Sequence, residues 1–260
     1  MMKKRVFLVF LLLLCIAGLQ SPAFAKSKTS SKNGWVNKNG TCYYYQKGKK
    51  LTGLKKIGSK YYYFDKKGIQ KTGWRKIKKA YYFFRIKKGK QGYMVCSNTK
   101  NGIRLKKDGK ASVKTERNLR KTKLLVHYQE WTDKLTKRSM TKREKLLTVF
   151  DYLRKNLLYL GSISLDVFKE DFDIEGAEFI YNNGRFFECH TIACATAYFA
   201  NAIGYEDIQI CAHSGHGWVE IEGLIYDTSL SRHNKSSYRY FASSDRDGQE
   251  WPKDVVKDMR

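Results

Sequence analysis

The sequence predicts an α+β domain behind an all-β array of hairpin repeats, with the boundary at residues 113 and 114. Three observations carry that expectation. A glycine followed by a bulky side chain recurs every 19 or 20 residues in the first half, at Gly34-Trp35, Gly53-Leu54, Gly73-Trp74 and Gly92-Tyr93. The second half lacks this period; its apolar residues fall first at helical and then at strand spacing. Charge divides at the same place. Residues 26–113 hold 26 Lys and Arg against two acids, Asp65 and Asp108, whereas residues 114–260 hold 22 of each sign. Such asymmetry marks two units with different partners, an anionic one for the basic half.

The chain begins with a basic Met1–Arg5, an apolar run from Val6 to Leu19, and Ala23-Phe24-Ala25. This is the three-part pattern of a secretory signal peptide over residues 1–25, with cleavage after Ala25. The apolar run is short for a membrane span, and Leu14 before Cys15 argues against lipid attachment. The expectation is therefore a secreted chain with no stable membrane anchor after cleavage, followed by a linker at 26–32. Five of the six cysteines remain, namely Cys42, Cys96, Cys189, Cys194 and Cys211. An odd number leaves at least one without a partner in the chain, as a reactive thiol requires. Cys42 and Cys96 could form a bridge within the basic half.

Between the recurring glycines stand Tyr43-Tyr44-Tyr45, Tyr61-Tyr62-Tyr63-Phe64 and Tyr81-Tyr82-Phe83-Phe84, each followed by a basic turn at Gly48, Gly68 or Gly89. A weaker unit follows at Ile103-Arg104-Leu105 and Gly109. Two short aromatic strands around a glycine turn make one hairpin per unit, and a period near 20 is that of a solenoid-type array. Over residues 33–110 this pattern resembles the cell-wall-binding repeats of choline-binding and glucan-binding surface proteins of Gram-positive bacteria. The resemblance implies a wall polymer as partner, held on aromatic faces at Trp35, Tyr43, Tyr44, Tyr61, Tyr62, Trp74, Tyr81 and Tyr82. A choline cage needs several aromatic faces around one cation, and Leu54 and Tyr93 stand where Trp is expected. The basic surface would also repel choline, so an anionic wall glycopolymer is the favoured ligand over a choline- or glucan-type one. The competing reading is that the tyrosines only pack and the lysines only solubilise. Lysines among aromatics also suit nucleic acid, but export and the glycine-punctuated repeat leave no nucleic acid partner expected.

Ala111 to Arg117 reads as a connector. From Asn118 to Leu135, Leu119, Leu124, Leu125, Tyr128, Trp131 and Leu135 recur at helical spacing. Thr141 and Glu144 then form a capping box ahead of an apolar stripe at Leu146, Leu147, Val149, Phe150, Leu153, Leu157 and Leu158, with Gly161 as its stop. His127 suits a packing or surface role. The acids of residues 162–176, among them Asp166, Glu170, Asp171, Asp173 and Glu175, do not fall in the order of a calcium loop and read as a solvated connection. Residues 234–260 carry Tyr238, Tyr240, Phe241 and Trp251 without a motif; they would close the domain or border its cleft.

The candidate chemistry lies between Asn182 and Asp227. Cys189 opens an alanine-rich helix that ends at Gly204, and a helix start stabilises the thiolate form of cysteine. A backbone N–H of the same turn could face a developing oxyanion. His216 precedes the second of three short strands (208–212, 217–221 and 224–227), and Asp227 ends the third. An antiparallel hairpin turning at Glu222-Gly223 brings them together, so His216 would activate Cys189 and Asp227 would orient the imidazole.

Phe187-Glu188-Cys189, His216-Gly217-Trp218-Val219-Glu220-Ile221 and Asp227-Thr228-Ser229, in this order, resemble the three motifs of the transglutaminase-like superfamily of papain-type cysteine enzymes. The helix containing Lys145–Leu153 resembles that family's first helix, and the likeness spans residues 140–232. It implies a papain-like α+β fold over 114–260, a catalytic triad of Cys189, His216 and Asp227, and a thioester formed from a protein or peptide amide, then hydrolysed or passed to an amine. No cofactor is implied. Glu188 stands where glycine or tryptophan is common, Gly217 where alanine is, and Thr228 where proline is. Three other readings compete: Cys189 as a buried structural thiol; a zinc site of Cys189, Cys194, His213 and His216, which the angle between residues 189 and 194 on a helix disfavours; and His190 as the base, which its place beside Cys189 on the same helix disfavours. The expectation is thus no metal, with Cys194 and Cys211 in the core and His213 and His233 in loops. A non-catalytic wall-binding or adhesion protein is the alternative from another class.

Overall fold

Left-handed residues in the turns, paired in the first and last hairpins and single at Gly58 and Lys78, shape the first half. The structure, a computed structural model, describes residues 32–86, 92–161, 165–233, 240–244 and 253–260. The expected signal peptide, the linker up to residue 31, Gly89, Tyr238 and Trp251 lie outside the described residues. Strands β1 (Gly34–Lys38) and β2 (Thr41–Gln46) join through Asn39-Gly40, both at positive φ, 50° and 76°. That conformation matches the twist of two hydrogen-bonded strands, so the turn sets the register. A short β3 (Lys49–Lys50) adds to β2. The pattern repeats in β4 (Gly53–Ile57), β5 (Lys60–Phe64) and β6 (Gln70–Lys71), and again in the hairpin of β7 (Gly73–Ile77) and β8 (Ala80–Phe84). Trp35 opposes Tyr44, Leu54 opposes Tyr63, and Trp74 opposes Phe83, so each repeat has the same register. The fourth glycine pair departs from it. Tyr93 instead accepts from Arg85 N, and Met94 bridges Phe84. A last hairpin, β9 (Asn98–Lys100) and β10 (Ile103–Leu105), turns at Asn101-Gly102.

The second half begins with α1 (Glu116–Leu135) and α2 (Lys142–Asn156). Both bonds of the Thr141–Glu144 capping box are present at the start of α2. The helix stops earlier than its apolar stripe suggests: Leu157 is the C-cap, and Leu158 lies in β11 (Leu158–Tyr159), which runs parallel to β12 (Phe186–Phe187). Between them comes α3 (Phe172–Asn183), so part of the acidic stretch expected as a connection is helical. Phe172, Ile174, Ala177 and Ile180 bury one face of α3, while Asp171 and Glu178 on its outer side pair with Arg120. The density of acids hid that stripe.

Helix α4 (Cys189–Ile203) is buried at every residue. Its alanines let α3 and a five-stranded antiparallel sheet approach closely. The sheet order is β16 (Phe241–Ser243), β15 (Leu224–Tyr226), β14 (His216–Ile221), β13 (Ile208–His213) and β17 (Val255–Asp258), with α5 (Leu230–His233) after β15. Glu222 and Gly223, at φ 50° and 77°, form the expected tight turn. Cys194 and Cys211 are fully buried. All five described cysteines are free, so Cys42 and Cys96 are not bridged.

The change in charge at residue 113 does not interrupt the core. Residues 32–260 form one compact unit, and Trp74, Tyr81 and Phe83 belong to the same apolar cluster as Leu124, Leu125 and Tyr128. Gly73 permits the contact, since a Cβ there would stand 1.7 Å from Gln129 Oε1. Asp133 on α1 binds Arg75 at 2.9 Å and Lys71 at 3.4 Å. The Trp74 indole donates to Asn101 Oδ1 at 3.0 Å, and the Asn101 amide donates to the carbonyl of Met259 at 2.8 Å. One buried side chain thus joins the third hairpin, the fourth hairpin and the end of the chain. Among the described residues, no helix is long and apolar enough to cross a membrane.

Candidate functional site

Helix α4 starts beside β14, the central strand of the sheet, and Glu188 caps it. The Glu188 carboxylate accepts from Thr191 N at 2.8 Å, and Thr191 Oγ1 accepts from Glu188 N at 3.0 Å. This reciprocal arrangement satisfies two donors at the helix start and fixes the first turn. Cys189 is its first residue and is 8% exposed. His216, the first residue of β14, lies opposite His213 across the β13–β14 hairpin. Asp227 follows β15, and its backbone N–H donates to Tyr240 O.

His216 Nε2 lies 2.6 Å from Asp227 Oδ2. The other carboxylate oxygen, Oδ1, accepts from Ser229 Oγ at 2.8 Å and Leu230 N at 2.9 Å. Asp227 is therefore held on both oxygens and cannot swing away from the imidazole. Trp218 stacks on the His216 ring, 6.3 Å between centroids at 19°. With Nε2 engaged by Asp227, Nδ1 is the nitrogen left for the thiol. Burial opposes charge on His216, but the hydrogen bonds to Asp227 and Cys189 outweigh it and raise its pKa to about 9. Burial alone would push the Cys189 thiol up; hydrogen bonds from His190 and His216 reverse this, and its pKa falls below the ordinary value. Cys194, buried without such partners, is pushed well above it.

A second imidazole stands at the thiol, where the sequence argues against one. His190 Nδ1 lies 3.7 Å from Cys189 Sγ and 2.9 Å from Glu188 Oε2, while its Nε2 meets the carbonyl of His213 at 2.9 Å. Successive helix residues do point apart, but the reach of the histidine side chain brings Nδ1 back over the cap. Gly217 makes room for it: a Cβ there would come within 2.8 Å of His190 Cδ2. The unusual Glu188 and Gly217 are thus two parts of one arrangement. Glu188 and Thr191 at capping-box spacing were the available signal. Ligand-type atoms of Glu188, Cys189 and His190 lie within 4.8 Å of one another. The Glu188 and His190 members are committed to each other and to His213 O, which leaves an incomplete donor set for a metal.

The expected wall-facing residues separate by burial. Trp74 is 1% exposed and fully engaged in the core, so it offers no face to a polymer. Tyr62, Tyr81 and Tyr82 are also buried and present little ring surface. Tyr61 is exposed, and Trp35, Tyr43 and Tyr44 are partly so. Trp35 meets Tyr44 and Tyr62 edge to face at 5.2 and 4.9 Å, an aromatic corner between the first two hairpins. Several ring faces already carry cations of the chain: Lys50 lies 4.1 Å from the Tyr43 ring, Lys56 6.0 Å from Tyr61, and Lys60 4.1 Å from Tyr93. A cleft of about 520 Å³ between β1–β2 and the α1–α2 turn is lined by Arg138, Lys142 and Lys145.

Among curated proteins none matches this chain. Among solved structures, a choline-binding domain from Streptococcus pneumoniae is 22% identical, with 32% of this chain and 98% of that one covered and a TM-score of 0.29. Choline-binding protein F of the same organism, solved with a peptidoglycan analogue, is 26% identical over 32% of this chain and 29% of its own, with a TM-score of 0.29. A pneumococcal cell-wall endolysin from phage Cp-1, complexed with choline, is 25% identical over 32% of this chain and 25% of its own, with a TM-score of 0.23. Residues 51–94, which include the second and third hairpins, match the family model of the choline-binding repeat.

Proposed function

We propose that this is a cell-wall-binding protein whose second half is a transglutaminase-like, papain-type thiol enzyme acting on a protein or peptide amide. The wall-binding part draws its support from the family match at residues 51–94. The enzymatic part rests on one observation: His216, held 2.6 Å from a doubly anchored Asp227, lowers the pKa of the Cys189 thiol at a helix start. The wall ligand is anionic. Lysine ammoniums already lie over the ring faces that a quaternary ammonium would use, and the cleft beside the first hairpin carries three cations, Arg138, Lys142 and Lys145, against one acid, Glu206. The signal-like first 25 residues support secretion to the cell surface as part of this reading.

In the proposed reaction the Cys189 thiolate adds to the amide carbon. As the C–N bond breaks, the His216 imidazolium gives its proton to the departing nitrogen, leaving a thioester. Water or an amine then attacks the thioester, its proton passes to His216, and the thiolate leaves. Asp227 holds the ring and stabilises its charge throughout.

The non-catalytic reading, a wall-binding or adhesion protein, is favoured by the family match lying within the repeats and by the 8% exposure of Cys189. Two measurements on one preparation separate them. Glutamine deamidation, amine incorporation and peptide hydrolysis are screened with Cys189→Ala as control, while retention on purified cell walls is followed against salt and against choline. Conversion that vanishes in Cys189→Ala, with wall retention intact in both, is the expected result. Absence of all three conversions, with Cys189 alkylated no faster than Cys194 or Cys211, overturns the enzymatic part. Retention that salt leaves unchanged and choline abolishes overturns the anionic ligand.

A further inference from the structure

We propose that His190 is a fixed imidazolium whose charge holds Cys189 as the thiolate, leaving the His216–Asp227 pair to carry the protons of the reaction. The inference follows from the hydrogen-bond acceptors around the ring. A carboxylate oxygen of Glu188 lies 2.9 Å from Nδ1, and the backbone carbonyl of His213 lies 2.9 Å from Nε2. Neither acceptor can donate, because Glu188 is the anion that caps α4 and a carbonyl has no hydrogen. Both ring nitrogens must therefore bear protons. A neutral imidazole would leave one nitrogen lone pair facing an acceptor inside a buried site.

The surroundings agree with that protonation state. Burial works against the cation, yet the bonds to Cys189 and Glu188 raise the His190 pKa to about 10. Burial likewise opposes charge on Glu188, and the contact with His190 brings its carboxyl below the ordinary value. On β13, the His213 side chain accepts from Gly215 N at 3.0 Å through Nδ1. On β14, Gly217 presents only backbone to His190. His216 reaches the same thiol from the start of β14. Glu188 Oε2, which accepts from the Cys189 thiol at 3.4 Å, is a charge that opposes a thiolate, and His190 Nδ1 stands beside both atoms. The carboxylate thus has two opposite effects on the thiol: direct repulsion, and maintenance of the histidine cation that attracts the sulfur.

The consequence concerns the part of the cycle in which His216 is neutral. Once His216 has given its proton to the leaving nitrogen, a lone Cys–His pair has no cation at the sulfur. Here the second imidazolium remains beside the thioester sulfur through that interval, and it adds to the reprotonated His216 in stabilising the thiolate as it leaves. This role rests on the acyl-transfer reading; the ionisation state of Cys189 does not.

The experiment uses the chain after its expected cleavage site and follows iodoacetamide labelling of Cys189 against pH. Peptide mapping separates it from the other cysteines, and thiolate absorbance is referenced to Cys189→Ala. His190→Gln keeps a donor in the site without the charge. It is expected to move the labelling inflection upward by about one pH unit or more and to slow labelling at neutral pH roughly tenfold. Glu188→Gln, which still offers Thr191 N an oxygen, is expected to move it in the same direction, although it removes a negative charge from beside the sulfur. His190→Gln with the wild-type inflection, or Glu188→Gln with an inflection moved downward, overturns the proposal. Cys194 protection from alkylation reports folding, and Glu188→Gln alone still decides the matter if His190→Gln does not fold. A shifted inflection in a chain with no amide turnover retains the thiolate inference while removing the proposed reaction.

Discussion

Asp227→Asn is expected to lower kcat/KM for the proposed amide reaction by about 10³- to 10⁴-fold while leaving Cys189 in place, because the imidazole loses both its orientation and the charge that keeps it protonated. The carboxylate accepts from His216, Ser229 and Leu230, and an Asn amide reproduces only part of this. If its Nδ2 turns to His216, it offers a donor where the imidazolium needs an acceptor. The pH profile gives a second and sharper result. His216 holds its proton until about pH 9, so in the wild type the alkaline limb of activity falls through that value. Without the carboxylate charge, the His216 pKa returns toward the ordinary histidine value of about 6.5, and the alkaline limb moves down with it.

Stability has the same sign. A histidine whose folded pKa lies above its unfolded one stabilises the fold fully below the unfolded value, and the contribution disappears as pH rises through the folded value. The wild type should therefore lose stability between about pH 6.5 and about pH 9 relative to Asp227→Asn. Denaturant unfolding at several pH values measures this without a substrate. A mutant whose stability gap is constant over that interval would show that the His216–Asp227 pair is not an ion pair.

The elements with strong local signals were legible in the sequence. Glu222-Gly223 marks the β14–β15 hairpin, whereas the turns of the first and fourth hairpins, Asn39-Gly40 and Asn101-Gly102, lie outside the glycine positions at which the sequence suggests turns. The Thr141–Glu144 box likewise announces α2 before any packing is considered. His216 and Asp227 could be related because a hairpin has only one register consistent with its turn. Other features depend on three-dimensional neighbours and left fainter traces. Helix α3 shows its apolar face only when Asp171 and Glu178 are assigned to the outside, where Arg120 from α1 meets them, and when Asp173 is allowed inside. His190 joins the site through Glu188, Gly217 and the His213 carbonyl, which come from three elements. In the sequence Trp74 has the same aromatic pattern as Trp35, which suggests a ligand face. What separates them is the helix α1 that covers one and not the other, and the charge boundary at residue 113 gives no hint of that cover.

Trp74→Ala is accordingly expected to destabilise the whole described unit, not the third hairpin alone. The indole is 1% exposed and packs 5.5 Å from Phe83 within the cluster that includes Leu124 and Tyr128. Removing a buried aromatic of this size costs about 3–5 kcal/mol, because the surrounding side chains collapse only partly into the cavity. Loss of the indole N–H also leaves Asn101 Oδ1 without that partner in a buried position, a further cost of about 1–3 kcal/mol. The Asn101 amide still reaches Met259 O, so the effect extends to β17 at the edge of the sheet that carries His216. Trp35→Ala provides the contrast, since Trp35 is only partly buried and its partners are other residues of the first two hairpins. Alkylation of Cys194 and Cys211 reports opening of the second half, as both thiols are fully enclosed there. In Trp74→Ala their labelling should accelerate together with loss of the near-ultraviolet signal of the hairpins, in a single transition at lower denaturant. In Trp35→Ala it should stay close to the wild-type rate. Protection of Cys194 and Cys211 that survives Trp74→Ala would mean that the hairpins melt alone, and that the apolar contact of β7 with α1 contributes little to holding the second half together.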